Sequence, residues 1–328
     1  MLRIRIRPRI RKRYEMDMCN GPLLGKILRF SFPLMLSGIL QLLFNAADIV
    51  VVGQFTGHQA LAAVGSTSSL INLLVNVFIG MAVGVNVVLA RYYGAGDYKN
   101  GSQTVHTAIL LSLVSGVALI FVGVLLAEPL LSLMGTPNDV LDQAALYMRI
   151  YFVGMPVVML YNFGAAVLRA VGDTKRPLYY LMIAGVVNVA LNLFFVIVCG
   201  MGVDGVALAT VISQCISAGL ILWCLLRIDG ICHLDLKHLH IYKDKLFQII
   251  RVGLPAGLQG AVFSISNVLI QSSINSFGSQ VMAGNTACSN LEGFVYTAMN
   301  SIYQAALSFV GQNMGAKKIG RVKETTRA

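Results

Sequence analysis

Of the fourteen acidic residues in this 328-residue sequence, only Asp48 and Glu292 fall inside long apolar runs. An ionised side chain at the centre of a bilayer costs about 3 kcal/mol on insertion scales, so such a group needs a reason to be there. Asp48 ends a series with Ser37, Gln41 and Asn45, and the spacings of four, four and three put all four on one helical face. No Lys or Arg lies at its depth, and a carboxyl without a built-in cation suits a proton carrier. At 1.5 Å per residue, Asn192 and Thr210 reach about the same level and Asn188 lies one turn deeper, so these four groups could meet. Asn and Thr also join membrane helices through hydrogen bonds of about 1 kcal/mol or less, and Asn188 and Thr210 alone fit that role equally well. Glu292 invites the same reading as Asp48, and equally that of a carboxyl facing a cationic ligand. Ser69, Asn72, Asn76 and Gly80 form a second polar face, and Ser264, Asn267, Gln271 and Asn275 a third. Gln41, Asn45, Asn72, Asn76, Asn267 and Gln271 therefore join Glu292 as candidates to line a wet space.

The elements that must position these groups are apolar and long. Hydrophobic residues make up 56% of the chain and charged ones 12%, with mean hydropathy +0.74, outside the range of soluble domains. Runs of about 20 residues, enough to cross a hydrocarbon core of about 30 Å, are expected at 29–52, 62–90, 104–126, 144–168, 178–199, 205–227, 249–275 and 282–311. The chain thus reads as an all-α polytopic membrane protein with eight transmembrane helices. Its net charge of +11 follows from topology rather than from nucleic-acid binding. Every Lys and Arg except Arg149 falls on one side of the expected spans, which fixes both termini in the cytoplasm of a multi-pass protein of the cell membrane. Residues 1–28 then form a basic cytoplasmic tail. Residues 1–15 alternate Arg with Ile or Pro, and Met16 or Met18 would serve equally well as a start. The six cysteines lack metal or disulfide spacing, and His233, His238 and His240 share one loop without a further ligand, so no metal site is expected. No paired carboxylates, HExxH or nucleophile–base arrangement occurs in the spans, which argues against an enzyme.

The chain also repeats itself. Pro33, Gly38, Asn45 and Phe55 match Pro255, Gly260, Asn267 and Phe277 at an offset of 222, and Gly57, Gln59, Ala62, Ser68, Gly94 and Ala95 match Gly278, Gln280, Ala283, Ser289, Gly315 and Ala316 at 221. Six spans separate the copies, so both enter the membrane in the same direction, as in a parallel repeat about an axis along the membrane normal. The expected organisation is a six-helix lobe at 29–227, a cytoplasmic loop at 228–248, the first two helices of a second lobe at 249–311 and a basic cytoplasmic tail at 312–328. A second copy that ends after two helices implies a truncated twelve-helix, two-lobe plan of six plus six.

The order and spacing of several short motifs resemble the multidrug and toxic compound extrusion (MATE) transporters. They are Phe32-Pro33, Asp48 before Val52-Gly53, Leu61-Ala62-Ala63-Val64-Gly65, Ala90-Arg91-Tyr92-Tyr93-Gly94-Ala95-Gly96-Asp97, Leu168-Arg169-Ala170-Val171-Gly172-Asp173-Thr174, the Asn188/Asn192 pair, the run from Gly202 to Thr210, and Gly311-Gln312-Asn313-Met314-Gly315-Ala316. The resemblance runs from about Gly25 to Lys323 and implies a MATE-type fold. It implies an antiporter that expels organic cations in exchange for H⁺ or Na⁺ by alternating access, with no cofactor beyond the coupling ion. Asp48 then matches the acid of the family's first helix. Some proton-coupled members carry an Asp where this chain has Asn192, and others an acid in the seventh helix, where residues 255–270 hold none. Glu292 is the expected replacement. The working form is read as a monomer in the lipid bilayer. The rival readings are a flippase for lipid-linked precursors, disfavoured by the lack of cations in the spans, and a non-transporting remnant.

Overall fold

A computed structural model describes residues 15–55, 58–133, 136, 138–275 and 279–327. Ten α-helices run along the described residues: α1 Leu23–Phe55, α2 His58–Ala95, α3 Tyr98–Leu133, α4 Asn138–Val153, α5 Met155–Ala170, α6 Lys175–Leu193, α7 Val203–Arg227, α8 Lys243–Asn275, α9 Ser279–Gly315 and α10 Ile319–Arg327. Most exceed the expected spans because each helix projects beyond its apolar run; α3, for example, carries Glu128 past the 104–126 run.

Two departures from the expected eight spans have physical causes. The fourth span is not one rod: α4 and α5 meet at Gly154 with a bend of 49°. Pro156, in the first turn of α5, has no N–H to continue the helical ladder, and its Cα leaves no room for a Cβ at Gly116 of α3. The expected eighth span lies in α9, which is long enough but not apolar enough. Its first half carries Ser279, Gln280, Asn285, Ser289, Asn290 and Glu292. Among the described residues six helices qualify as spans by length and apolarity, and seven if the bent α4–α5 pair counts as one span.

The core lies among α2, α3, α4, α5 and α7, where Met148, Phe152, Met155, Met159, Phe163 and Leu168 are fully buried. The chain between α7 and α8 clamps onto α3. His106 donates from Nδ1 to the Ser102 carbonyl (2.7 Å) and accepts at Nε2 from the Asp235 N–H (3.1 Å), while the Thr107 hydroxyl accepts from the Tyr242 N–H (3.1 Å).

At the end of the bundle that carries most Lys and Arg, here the basic end, α2 and α9 pack through reciprocal contacts. Gly94 sits against the Gln312 carbonyl and Gly315 against the Arg91 carbonyl, with no space for a Cβ at either. Positions 91 and 312, like 94 and 315, are equivalent at the repeat offset of 221, so the contact is isologous, as a two-fold axis requires. Nearby, the Gln312 amide donates to the Ala170 carbonyl at 2.8 Å. Residues 15–21, expected as part of a tail, form a strap across this end. The carbonyls of Met18, Cys19, Asn20 and Gly21 accept from Asn313, Lys318 and Arg321 at 2.6–3.2 Å.

Candidate functional site

The opposite end of the bundle is built differently. Gly185 of α6 lets the Phe44 ring of α1 lie against the helix backbone, and this close approach brings the next turn of α1 up to α6. Asp48, one turn beyond Phe44, thereby meets Asn192, whose Nδ2 donates to Asp48 Oδ1. The same Nδ2 also reaches Asn188 Oδ1 at 3.4 Å. Asn188 Nδ2 lies 3.4 Å from Thr210 Oγ1 on α7, and that hydroxyl donates to the Val206 carbonyl at 3.0 Å. Asp48, Asn192 and Thr210, which helical counting puts at about one level, and Asn188, which it puts one turn deeper, therefore form one continuous chain across three helices.

Asn188 and Asn192 are 5% and 1% exposed, and Asp48 is half-buried. Among the described residues no cation pairs with Asp48. Asn192 Oδ1 is buried without a hydrogen-bond partner. A buried carbonyl oxygen left unpaired costs about 1–3 kcal/mol, so the site holds an acceptor that a donor entering it would satisfy.

Two residues here were not singled out from the sequence. Tyr147 and Tyr151 of α4 lie in the field of Asp48 and stack on each other with ring centroids 6.2 Å apart. Their spacing of four placed them on one helical face, and that was the available signal. The size of the bend at Gly154, which sets the tilt of α4, was not legible.

The other candidates occupy a separate region. Asn76 of α2 donates to the Ser264 hydroxyl of α8 at 3.0 Å, joining the two polar faces expected to be wet. Gln41, Asn45, Asn72, Asn267 and Glu292 are exposed. Gly293 of α9 faces Leu42 of α1, which sets Glu292 at the level of Gln41 and Asn45 and about one turn nearer the basic end than Asp48. The Gln271 side chain lies outside the described residues. Phe263 and Tyr296 stack between α8 and α9 at 6.1 Å. The structure thus gathers Asp48, Asn188, Asn192 and Thr210, and leaves Glu292 apart from them.

The MatE family model matches residues 33–194 and 255–328. YoeA of Bacillus subtilis, a probable multidrug resistance protein, is 32% identical over 91% of this chain and 66% of its own length. YpnP of the same organism, of the same description, is 30% identical over 93% and 68%. A solved MATE transporter of the MOP superfamily in an outward-facing conformation superposes with a TM-score of 0.87 at 25% identity, covering 94% of this chain and 68% of its own. The chain spans about two thirds of the length of the curated relatives it matches. With the family model covering most of its residues and its helices superposing on those of a solved member, the chain belongs to the MATE family of membrane transporters.

Proposed function

We propose that the protein is a multidrug efflux antiporter that exports organic cations in exchange for H⁺ or Na⁺, with the basic end in the cytoplasm. The observation that carries this reading is the Asp48–Asn192–Asn188–Thr210 chain, a carboxyl that no cation pairs with among the described residues, at the head of a buried polar relay. Ionised, Asp48 accepts from the Asn192 amide. Protonated, it can also donate, and the unpaired Asn192 Oδ1 becomes its partner once that amide turns over. The two states make different bonds between α1 and α6, and a group bonded differently in two states biases the helix arrangement it belongs to. Sodium would act at the same carboxylate, with the Asn and Thr oxygens as further ligands.

The wider reading follows from the contacts between lobes. Helices α1–α7 form one lobe, α8 and α9 open a second of a twelve-helix plan, and the reciprocal Gly94/Gly315 packing closes the basic end. The exposed faces of α1, α8 and α9 then line a cavity open to the other side. Glu292, Gln41, Asn45, Asn72, Asn76 and Asn267 are its polar lining, where an organic cation would meet Glu292. In the intact transporter, Asp48→Asn is expected to keep expression and ethidium binding and to lose efflux driven by either a pH or a Na⁺ gradient. Wild-type efflux under both gradients would make Asp48 a structural residue.

A further inference from the structure

Arg149 is the one basic residue that the sequence places on the far side of the expected spans. It lies on α4 between Leu146 and Val153, three residues after one and four before the other, and these are 46% and 58% exposed. That stripe faces away from the bundle core, where Met148 and Phe152 are buried. Glu128 lies just past the apolar run of α3 at 104–126 and Arg149 pairs with it, so in the membrane orientation proposed above both stand where that run ends, at headgroup level.

Arg149 Nη2 pairs with Glu128 Oε2 of α3 at 3.1 Å, and both side chains stay about half exposed, at 45% and 58%. Between them opens a groove of about 420 Å³ lined by Leu125, Glu128, Pro129, Ser132, Leu141 and Arg149. Towards the membrane centre, the same face of α3 continues through Leu125 and Phe121, which are 69% and 62% exposed. The groove therefore offers a guanidinium and a carboxylate side by side at headgroup level, above an apolar track.

We propose that this groove binds a zwitterionic phospholipid with a primary ammonium headgroup, phosphatidylethanolamine, from the leaflet opposite the basic end. The lipid phosphate accepts from the guanidinium N–H groups that Glu128 does not use. The ammonium donates to the free oxygen of Glu128, and one acyl chain lies along Leu125 and Phe121. A quaternary ammonium has no N–H to donate and an uncharged headgroup has no cation, so the pair of charges selects this class. The site uses the membrane orientation proposed above but none of the Asp48 chemistry, so loss of either idea leaves the other standing.

The test is native mass spectrometry of the chain released from nanodiscs holding equal parts phosphatidylethanolamine, phosphatidylcholine and phosphatidylglycerol. The wild-type chain is expected to retain phosphatidylethanolamine about tenfold over either of the others. The double exchange Arg149→Glu with Glu128→Arg keeps an ion pair between α3 and α4 but inverts its polarity towards the headgroup. It should keep the wild-type Tm and lose the preference. Equal retention of the three lipids by the wild-type chain overturns the proposal. So does a preference for phosphatidylglycerol, which a phosphate site alone would give, or a double exchange that retains phosphatidylethanolamine as the wild type does. The wild-type comparison decides by itself if the exchanged chain does not fold.

Discussion

Asp48 and Glu292 are both carboxyls in apolar sequence, yet they sit in opposite surroundings. Asp48 is half-buried and bonded to Asn192, which is in turn within reach of Asn188 one turn along the same helix. Glu292 is exposed on α9, whose first half is polar enough to fall short of a span. A carboxyl whose protonation can move helices needs partners on those helices. One that only meets a cation needs to face open space. On the proposed function, coupling belongs to the first region and substrate contact to the second.

The sharpest way to break that division is to remove each acid in turn from the intact transporter. Asp48→Asn should lower gradient-driven efflux about 100-fold, equivalent to about 2.7 kcal/mol in the transport barrier. Glu292→Gln should keep the response to the gradient and raise the KM for a monovalent cationic drug about threefold to tenfold, the size of one exposed charge contact. Initial rates measured against drug concentration under an imposed pH gradient separate the two. The division fails if Glu292→Gln loses the response to the gradient while Asp48→Asn keeps it.

A smaller effect compares the neighbours. Asn192→Ala strips Asp48 and Asn188 of their common partner inside a buried chain and should cost about 1–3 kcal/mol of stability. Asn267→Ala on the exposed face of α8 should stay within about 0.5 kcal/mol. Thermal unfolding in one detergent reads both. Equal losses would mean that the polar chain on α6 is no more organised than the exposed lining.

Much of the first region was legible because helical geometry is regular. A fixed rise per residue put Asn192 and Thr210 at the depth of Asp48 and Asn188 one turn deeper, and the structure joins the four in one chain. The repeat offset likewise pairs Gly94 with Gly315, and these two glycines pack reciprocally between α2 and α9. What regular geometry cannot supply is where a helix departs from it. Pro156 is a local signal for the break at Gly154, but the direction of the bend depends on Pro156 meeting Gly116 of another helix, a tertiary contact. The part played by Tyr147 and Tyr151 near Asp48 depends on that break. The strap at 15–21 escaped notice because its bonds use backbone carbonyls, which every sequence has.

A third carboxyl separates burial from function. Asp173, in the turn between α5 and α6, is 1% exposed, and burial pushes its pKa up to about 6 from 3.8, with the nearby Glu15 adding to the rise. Unlike Asp48 it has a cation beside it: the Arg176 N–H donates to Oδ1 at 3.1 Å, and Arg176 Nε lies 3.3 Å from Oδ2. These contacts pull the pKa down, but less than burial raises it. The folded state therefore holds this proton more tightly than the unfolded chain does. The stability it contributes is full below about pH 4 and is lost as pH rises through about 6. Against an Asp173→Asn variant, which cannot titrate, the wild-type Tm should fall by about 2–4 °C between pH 4 and pH 6.5 and run parallel above that. A wild-type Tm that instead gains on the variant over this range would show that Arg176 outweighs burial. Drug efflux by Asp173→Asn should match the wild type, because this carboxyl touches neither the α1–α6 relay nor the exposed lining. If it instead loses efflux as Asp48→Asn does, burial of a titratable acid is by itself enough to impair transport, and the relay around Asp48 loses its special standing.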